Sequence, residues 1–474
     1  MTTARIIRAA ALIIAVSCSS FAAAAGRVVD RATMQKLSAL RQGEALRLDD
    51  FPAGPSRNAA IQLRRVDVYA PDAHLYVIGA GGAKQELPRS RRIFLRGVSG
   101  DGATHVAMTL EPDATFVEGS GSSADGAFAL KAQVDAKGTH TFSAQTLEST
   151  LPSPDAFEFR CGNDKVDLGL QSKAPSRDLG ALLQRATTAP TPAPGSGGSP
   201  QVTYRGAVIA IDTDSEFMSR LFSNNTTSAT NWIASMFNSM NTMYETDLTV
   251  QLLVGTTILR TSAANDPYTG LGQNTASNTA DLNVFASYWR ANEASVPRSF
   301  AILLSGAIAS SGGSCSAAGI AWIDEYCQKG FSNGANTVGS YSVTKVCSTL
   351  SIDPNGTFDA RIVGHEIGHN FGAYHTHCTN LSTGAAPTGT NTIDTCYNQE
   401  GGSGCYTGAT SCPAAGSGTI MSYCNFTSVS GCAAGTQNQL HFHQTQINDV
   451  LLPDVAVNTP SCLMTDVIFA DGFQ

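Results

Sequence analysis

Three histidines and one glutamate between residues 364 and 375 have the spacing that best fits catalytic chemistry in this sequence. His365 and His369 are four positions apart, so on a helix their side chains project from one face, one turn apart. Two imidazoles placed in this way can bind the same metal ion. Glu366 lies beside the first of them, where its carboxylate can reach a water molecule on that ion.

A glycine and a third histidine complete the pattern. Gly372 can adopt a positive φ, so it predicts the end of the helix and a turn. That turn can bring His375 back as a third ligand. Three neutral imidazoles with one open position are typical of a catalytic zinc site rather than a closed structural one. His377 is the alternative third ligand, but the Gly-x-x-His spacing favours His375.

The full pattern, His-Glu-x-x-His-x-x-Gly-x-x-His, resembles the zinc signature of the metzincin metalloproteases. A second stretch, Ile-Met-Ser-Tyr at residues 420–423, resembles the methionine turn (Met-turn) of that family. The resemblance implies that Met421 forms an apolar floor under the histidines without binding metal. It also implies a zinc contact or an oxyanion contact for Tyr423, for which plain packing is the alternative.

The resemblance covers about residues 202–462. Within the metzincins, this segment is most similar to the reprolysin or adamalysin group in a bacterial-type form. It departs from that group at Thr376, where the group usually has aspartate. The resemblance implies an α/β (α+β) metzincin catalytic domain with a mixed twisted sheet, a zinc helix and a Met-turn. The implied activity is that of a zinc metalloendopeptidase with one catalytic Zn²⁺ and with Glu366 as general base. Protein or peptide is the implied substrate.

Two other functions stay open from the sequence. One is a non-catalytic, zinc-stabilised binding or adhesin module with the same fold. The other is zinc-dependent hydrolysis of a bond that is not a peptide bond.

Composition excludes several classes of partner. The net charge is −8, the pI is about 5.6, and only 14% of the residues are charged. Such a chain has no basic footprint for nucleic acid. Its Lys and Arg residues are scattered, which does not favour an anionic membrane surface. No apolar run reaches transmembrane length, so we expect no membrane span.

Residues 1–25 have the pattern of a secretory signal peptide. Arg5 and Arg8 form the positive region, residues 9–16 the apolar region, and residues 22–25 a small-residue cleavage site. We therefore expect a secreted, extracellular protein, and the sequence leaves open whether it passes through a periplasm. The alternative is a lipid anchor on Cys18, although residues 15–17 fit that signal poorly.

The twelve cysteines fit an exported chain. Cys18 leaves with the signal, and Cys161 stands alone well before the others. The other ten predict up to five disulfides, whose pairing the sequence leaves open. They are Cys315, Cys327, Cys347, Cys378, Cys396, Cys405, Cys412, Cys424, Cys432 and Cys462.

Residues 26–170 contain short alternating runs separated by turns, which predicts a β-rich prodomain. Near its end, Arg-Cys-Gly-Asn-Asp around Cys161 resembles the cysteine switch of matrixin-type zymogens, without the prolines of that motif. A thiolate is a good zinc ligand, so Cys161 could fill the open position and make the prodomain an inhibitor of its own enzyme. The alternative is an ordinary buried cysteine.

Residues 171–201 end in a Pro-, Gly- and Ser-rich tract, which predicts a linker where maturation cleavage occurs. From residue 202 the pattern predicts strands at 205–211, 248–254 and 300–304, helices at 228–244 and 280–294, and the zinc helix at 357–371. Residues 463–474 are expected to form a C-terminal tail.

Two further features precede the zinc helix. Gly319, Ile320, Ala321 and Trp322 are predicted to form the edge strand that lines the substrate cleft, and a loop fixed by disulfides is the alternative. Calcium binding by Asp212 and Asp214 has no other support in the sequence, and a solvated strand end is favoured for these two residues.

Overall fold

The computed structural model describes residues 26–124, 126–147, 157–165, 204–271, 278–307, 309–311, 314–346, 359–400, 404–412, 418–425 and 440–465. The predicted signal peptide, the predicted linker 171–201 and the tail from residue 466 lie outside these ranges. Among the described residues no helix is both long enough and apolar enough to cross a membrane.

The strands, in chain order, are β1 Arg27–Val29, β2 Ala45–Pro52, β3 Asn58–Val66, β4 Leu75–Ile78, β5 Lys84–Leu87, β6 Ile93–Ser99, β7 His105–Leu110, β8 Phe116–Ser123, β9 Gly126–Val134, β10 His140–Thr146, β11 Phe157–Cys161, β12 Arg205–Thr213, β13 Val250–Arg260, β14 Phe300–Ser305, β15 Ala309–Ser311, β16 Ser314–Ala321, β17 Phe331–Asn333, β18 Asn336–Val338 and β19 Tyr341–Lys345.

The helices are α1 Arg31–Ala39, α2 Ser215–Phe222, α3 Thr226–Leu248, α4 Thr279–Asn292 and α5 Asp359–Asn370, and the described chain ends in a helical run made of Gln444–Gln446, Ile447–Leu451 and Leu452–Val457. Single 3₁₀ turns occur at Gly162–Lys165, Ala263–Asn265, Thr376–Cys378 and Tyr423–Asn425.

The first sheet is antiparallel and is built from the N-terminal part of the chain. Its order in the described residues is β1-β10-β9-β8-β7-β6-β3-β2. Along β3 the buried Ile61 and Leu63 alternate with the exposed Gln62 and Arg64. This period of two gives the sheet one apolar face. Met34 and Leu37 of α1 are buried in the same cluster.

The second sheet is mixed and carries the candidate site. Its order in the described residues is β11-β16-β19-β14-β12-β13-β4-β5, with β15 paired to β16. The strands β14, β12, β13 and β4 are parallel, whereas β16 is antiparallel to β19. The central strands are continuous runs of mostly apolar residues because both of their faces are covered.

The predicted β-rich segment contributes to both sheets, which the sequence prediction did not anticipate. The strands β4 and β5 extend the second sheet beyond β13, and β11 extends its opposite end beyond β16. The pairing of distant segments depends on tertiary packing, and no local pattern of residues encodes it.

Helix α3 lies between the two sheets and is buried along most of its length. It begins where the side chain of Asn225 accepts the backbone N–H of Ser228 at 3.0 Å, and it ends before Thr249, whose φ is +51°. Its apolar stripe, including Met236 and Met240, packs in the same cluster as Ile367 of α5. Its other face contacts the first sheet.

Helix α5 ends as the sequence predicts. Gly372 has a φ of +106°, and its N–H donates to the carbonyl of His369 at 2.9 Å. The next N–H, from Ala373, donates to the carbonyl of Gly368 at 3.0 Å. A glycine just beyond the helix thus satisfies its last carbonyls and reverses the chain.

Three disulfides lie in the described residues: Cys327–Cys462, Cys378–Cys405 and Cys396–Cys424. Cys412 is disulfide-bonded as well. Cys161 is buried and keeps its thiol.

Candidate metal centre

Helix α5 and the turn after it bring the three predicted histidines together. His365 and His369 project from one face of α5, and the turn at Gly372 returns His375 towards them. The Nε2 atom of His375 lies 3.3 Å from Nε2 of His365 and 3.2 Å from Nε2 of His369. All three side chains are buried. The arrangement leaves one common point that three nitrogens face.

A hydrogen-bond acceptor fixes the far nitrogen of each imidazole. The carbonyl of Ile420 lies 2.8 Å from Nδ1 of His365, and the carbonyl of Ala373 lies 2.6 Å from Nδ1 of His369. Oε2 of Glu400 lies 2.7 Å from Nδ1 of His375. Because an acceptor faces every Nδ1, the proton of each neutral ring belongs there, and the Nε2 lone pairs point inwards.

Burial keeps the rings of His365 and His369 neutral. It lowers the pKa of His365 to about 3, and the neighbouring His375 lowers it further in the same direction. Burial likewise holds the pKa of His369 well below its ordinary value. Neutral imidazoles are the form that binds a metal ion, so the donor set fits zinc in ligand type and in number.

Cys161 completes a group of four potential ligands. Its Sγ lies 3.6 Å from Nε2 of His369 and 3.8 Å from Oε2 of Glu366. The thiol and the three imidazoles each offer one ligand atom, and these atoms lie within 4.8 Å of one another. The sulfur therefore occupies the space between the histidines and the glutamate.

Strand β16 passes directly over Glu366. Gly319 pairs with Cys161 of β11 on one side and with Thr344 of β19 on the other. A methyl group at Gly319 would overlap the carboxylate of Glu366. The glycine is needed here because backbone and carboxylate approach more closely than any side chain allows.

The predicted edge strand is not at the edge in this structure. Strand β16 contains Gly319, Ile320 and Ala321, but β11 runs parallel along its outer side, so the edge is covered. Beyond the end of β11, the N–H of Ala321 donates to Oδ1 of the buried Asn163 at 3.1 Å. Trp322 follows the strand and donates its indole N–H to the carbonyl of Thr337 at 3.0 Å.

Met421 and Tyr423 lie against the histidine cluster. Met421 is fully buried, and a Cβ added at Gly368 of α5 would lie 2.8 Å from its sulfur. The ring of Tyr423 is 4.7 Å from that of His375, and its hydroxyl donates to the carbonyl of Cys161 at 3.5 Å. The tyrosine thus contacts the backbone of the segment that fills the cleft.

Two acidic residues at the site were missed in the sequence. Glu400 accepts from both His375 and His377, at 2.7 and 2.6 Å. Burial alone would raise the pKa of Glu400, but these two imidazoles lower it below its ordinary value. His377 is therefore bound to the carboxylate and lies outside the group of three converging rings.

The other missed residue, Asp394, joins two loops. It accepts from the hydroxyl of Thr376 and, at 2.6 Å, from the hydroxyl of Ser422. The loop after His375 is thereby fixed to the turn at residues 420–423. Neither acid stands at a recognisable spacing from the histidines, so no sequence signal indicated them.

The prediction of a solvated strand end at Asp212 and Asp214 is wrong. Asp212 is fully buried and forms an ion pair with Arg260 at 2.8 Å. It also accepts from the hydroxyl of Tyr268 at 2.6 Å. Asp214 is buried too and accepts the N–H of Phe217 at the start of α2. Both carboxylates therefore hold elements of the fold together.

Three converging imidazoles beside a carboxylate form a donor set of the kind that metal-dependent hydrolytic enzymes use. Residues 202–432 match the Reprolysin_5 model of metallo-peptidase family M12. Over that segment the chain matches this metallopeptidase family model, in agreement with its sequence motifs.

Metalloproteinase-II from Bacteroides fragilis has a solved structure that is 13% identical to this chain, with 68% of this chain and 79% of that chain covered at a TM-score of 0.26. At that score the likeness carries no conclusion. No curated protein matches this chain.

Proposed function

We propose that this protein is a secreted zinc endopeptidase, synthesised as a zymogen whose N-terminal part blocks the cleft. The observation that carries the peptidase proposal is the convergence of three Nε2 atoms, each turned inwards by an acceptor at its Nδ1, beside the carboxylate of Glu366. The match of residues 202–432 to a model of metallo-peptidase family M12 supports the same reaction class.

His365, His369 and His375 would hold the ion. Zinc bound there would supply a Lewis acid, able to acidify a water and to polarise the scissile carbonyl. Glu366, whose carboxylate faces that space, takes a proton from the water and passes it to the leaving amine. Tyr423 donates to a backbone carbonyl in the cleft, which suits a contact with the substrate oxyanion. Met421 packs beneath the rings and limits their movement.

A peptidase assay on chain cut within residues 171–201 tests the function. Casein hydrolysis should stop on chelation of the metal and return with zinc. Glu366→Ala should lower the rate by about 10²–10⁴-fold, because it removes the general base while the three ligands remain. Metal content should stay near that of the wild type, and the exposed Glu86→Ala should leave the rate unchanged.

The alternatives give different results in the same assay. A binding module with this fold would hold zinc for stability alone and cleave nothing. A hydrolase for another bond would leave casein intact but lose its own reaction in Glu366→Ala. Either outcome would refute the endopeptidase proposal.

The latency proposal rests on Cys161 and on strand β11. The thiol lies among the histidines, and β11 occupies the outer side of β16, where an extended substrate would pair. A thiolate in the open position excludes the water that the reaction requires.

Cys161→Ser should give an uncut chain that hydrolyses peptide, whereas the uncut wild type should not. A hydroxyl is a much weaker zinc ligand than a thiolate, so the position opens to water. Gln145→Ala, an exposed change in β10, serves as the control. Equal latency in the serine variant and the wild type would show that Cys161 has no inhibitory role.

The three described disulfides fit an oxidising compartment, which supports export.

A further inference from the structure

Residues 26–147, called the N-terminal unit from here on, cover the outer edge of β13. The N–H of Val254 donates to the carbonyl of Val68 at 2.7 Å, and the N–H of Ala70 donates back to Val254 at 2.9 Å. Further along, β4 pairs with the last four residues of β13. Without the N-terminal unit, this eleven-residue strand would present an open edge.

The two parts also share one apolar core. Buried residues of the N-terminal unit in this cluster are Val66, Val68, Tyr69, Ala70, Ala73, Leu75, Phe94, Ala127, Ala129 and Leu147. The same cluster contains Leu252 and Val254 of β13 and Ile367 and Phe371 near the histidines. Contacts that continue a hydrophobic core are typical of permanent interfaces rather than transient ones.

A polar stripe on α3 is hydrogen-bonded to the first sheet. The amide of Asn238 donates to the carbonyl of Met108 at 3.1 Å, and the hydroxyl of Ser120 donates to that of Ser239 at 3.1 Å. These bonds give the N-terminal unit a single register on the helix.

Two ion pairs cross the same boundary. Arg96 lies 2.9 Å from Glu245, with exposed side-chain fractions of 8% and 14%. Lys84 lies 2.7 Å from Glu293, whose side chain is 6% exposed. A charge that loses its partner inside such an interface weakens the complex strongly.

Strand β11 is attached in a different way. It is the outermost strand at its end of the sheet in the described residues and pairs only with β16 there. If β11 left, the sheet would lose one strand, and the other strands in the sheet order, from β16 through β5, would stay in place. Its departure would also withdraw Cys161 from the histidines.

We propose that the N-terminal unit stays bound to the metallopeptidase part (residues 202–462) after the linker 171–201 is cut. The mature enzyme then consists of two non-covalently associated chains. Only the segment that contains β11 leaves the cleft. The inference rests on the proposed function for its premise that the linker is cut.

The experiment introduces a site for a specific protease within residues 187–200 of the chain that starts at residue 26, without the predicted signal peptide and its Cys18, in a Glu366→Ala background that prevents self-digestion. Cys161 is the only cysteine of residues 26–170 and keeps its thiol, so no disulfide can join the two pieces. After cutting, we expect the pieces to co-elute in equal amounts on gel filtration and to separate only in denaturant. Separate elution under native conditions would overturn the proposal.

Reaction of Cys161 with a thiol reagent tests whether the segment that contains β11 leaves the cleft after cutting. We expect slow labelling in the uncut chain and rapid labelling in the cut, co-eluting complex. A thiol that remains protected after cutting would show that β11 does not leave.

An interface variant tests the contacts. Arg96→Ala should speed the separation of the cut pieces about tenfold or more, because Glu245 loses its partner. The control is Arg47→Ala, an exposed arginine on β2. Circular dichroism of the uncut variants checks folding, and Lys84→Ala provides a second interface variant. If neither interface variant releases faster than the control, the proposed contacts do not hold the complex together.

Co-elution is measured without peptidase activity. An associated but inactive enzyme, with Glu366 restored, would contradict the proposed function and leave this inference intact. An active enzyme freed of the N-terminal unit would contradict this inference and leave the proposed function intact.

Discussion

At the scale of single residues, the centre depends on the groups that orient the histidines. Two of the three Nδ1 acceptors are backbone carbonyls, of Ile420 and Ala373, so they are set by the chain path. The third is the side chain of Glu400. It is therefore the one acceptor that a substitution can remove without moving the backbone.

Glu400→Gln should weaken zinc binding by about 10–100-fold, since an amide orients His375 less strongly than a carboxylate does. Competition with a chromogenic chelator measures the affinity. Glu86→Gln, a change at an exposed pair with His74, should have no effect. Unchanged affinity in Glu400→Gln would mean that the loop alone holds the ring in place.

Gly319→Ala should reduce peptide hydrolysis sharply while metal content stays near that of the wild type. The added methyl overlaps the carboxylate of Glu366, and relief of such overpacking costs about 1–3 kcal/mol and moves the base. Gly270→Ala is the matched control, because its Cβ would meet nothing within 4 Å. Steady-state kinetics measures the rate of hydrolysis, and metal analysis measures the zinc content of both variants. Full activity in Gly319→Ala would contradict the close contact between Gly319 and Glu366.

The sequence was most informative where the chemistry is local. The spacing of His365, His369 and Gly372 needs only the helical period and a turn, and the structure has both. Glu400 lies 25 residues from His375 in a cysteine-rich loop, and its role depends on how that loop folds back. Asp212 looked solvated because its partner Arg260 is 48 residues away.

At the scale of elements, disulfides fix the long loops around the centre. Cys327–Cys462 closes 135 residues and ties the chain after β16 to the segment that follows the C-terminal helical run. Cys378–Cys405 closes 27 residues next to the third histidine. The predicted strands and helices from residue 205 onwards are present, but their boundaries differ, and the cross-links between them cannot be deduced from spacing alone.

Replacing Cys327 and Cys462 by alanine should lower the free energy of unfolding by about 2–5 kcal/mol. In the chain-entropy model, the loss should exceed that for the Cys378–Cys405 pair by about 1.4 kcal/mol, because the closed loop is five times longer. Urea unfolding of both double variants measures the difference. Equal losses would indicate that strain or residual structure outweighs loop entropy here.

At the scale of the whole molecule, the N-terminal sheet could be predicted as β-rich, but not its attachment. Alternating residues identify β3 and β6 to β9, and they do not indicate that β4 pairs with β13. The partner of a strand is chosen by the packing of the entire chain. The same limit applies to β11, which the sequence left as a short segment around Cys161.

Metal should stabilise the cut enzyme as a whole. A ligand that binds only the folded state adds about 2.7 kcal/mol to the free energy of unfolding at 100 times its Kd. Urea unfolding with and without zinc measures the gain. The double variant His365→Ala and His369→Ala should show none of it, and an equal gain in that variant would place the zinc elsewhere.

The burial of Cys161 has a consequence for oxidative folding. Once the predicted signal is removed, the chain carries eleven cysteines, an odd number for a compartment that forms disulfides. A thiol enclosed between β16 and the histidines is out of reach of exchange with the other ten. Early docking of β11 would therefore protect the nascent enzyme from mispaired isomers, quite apart from any control of its activity.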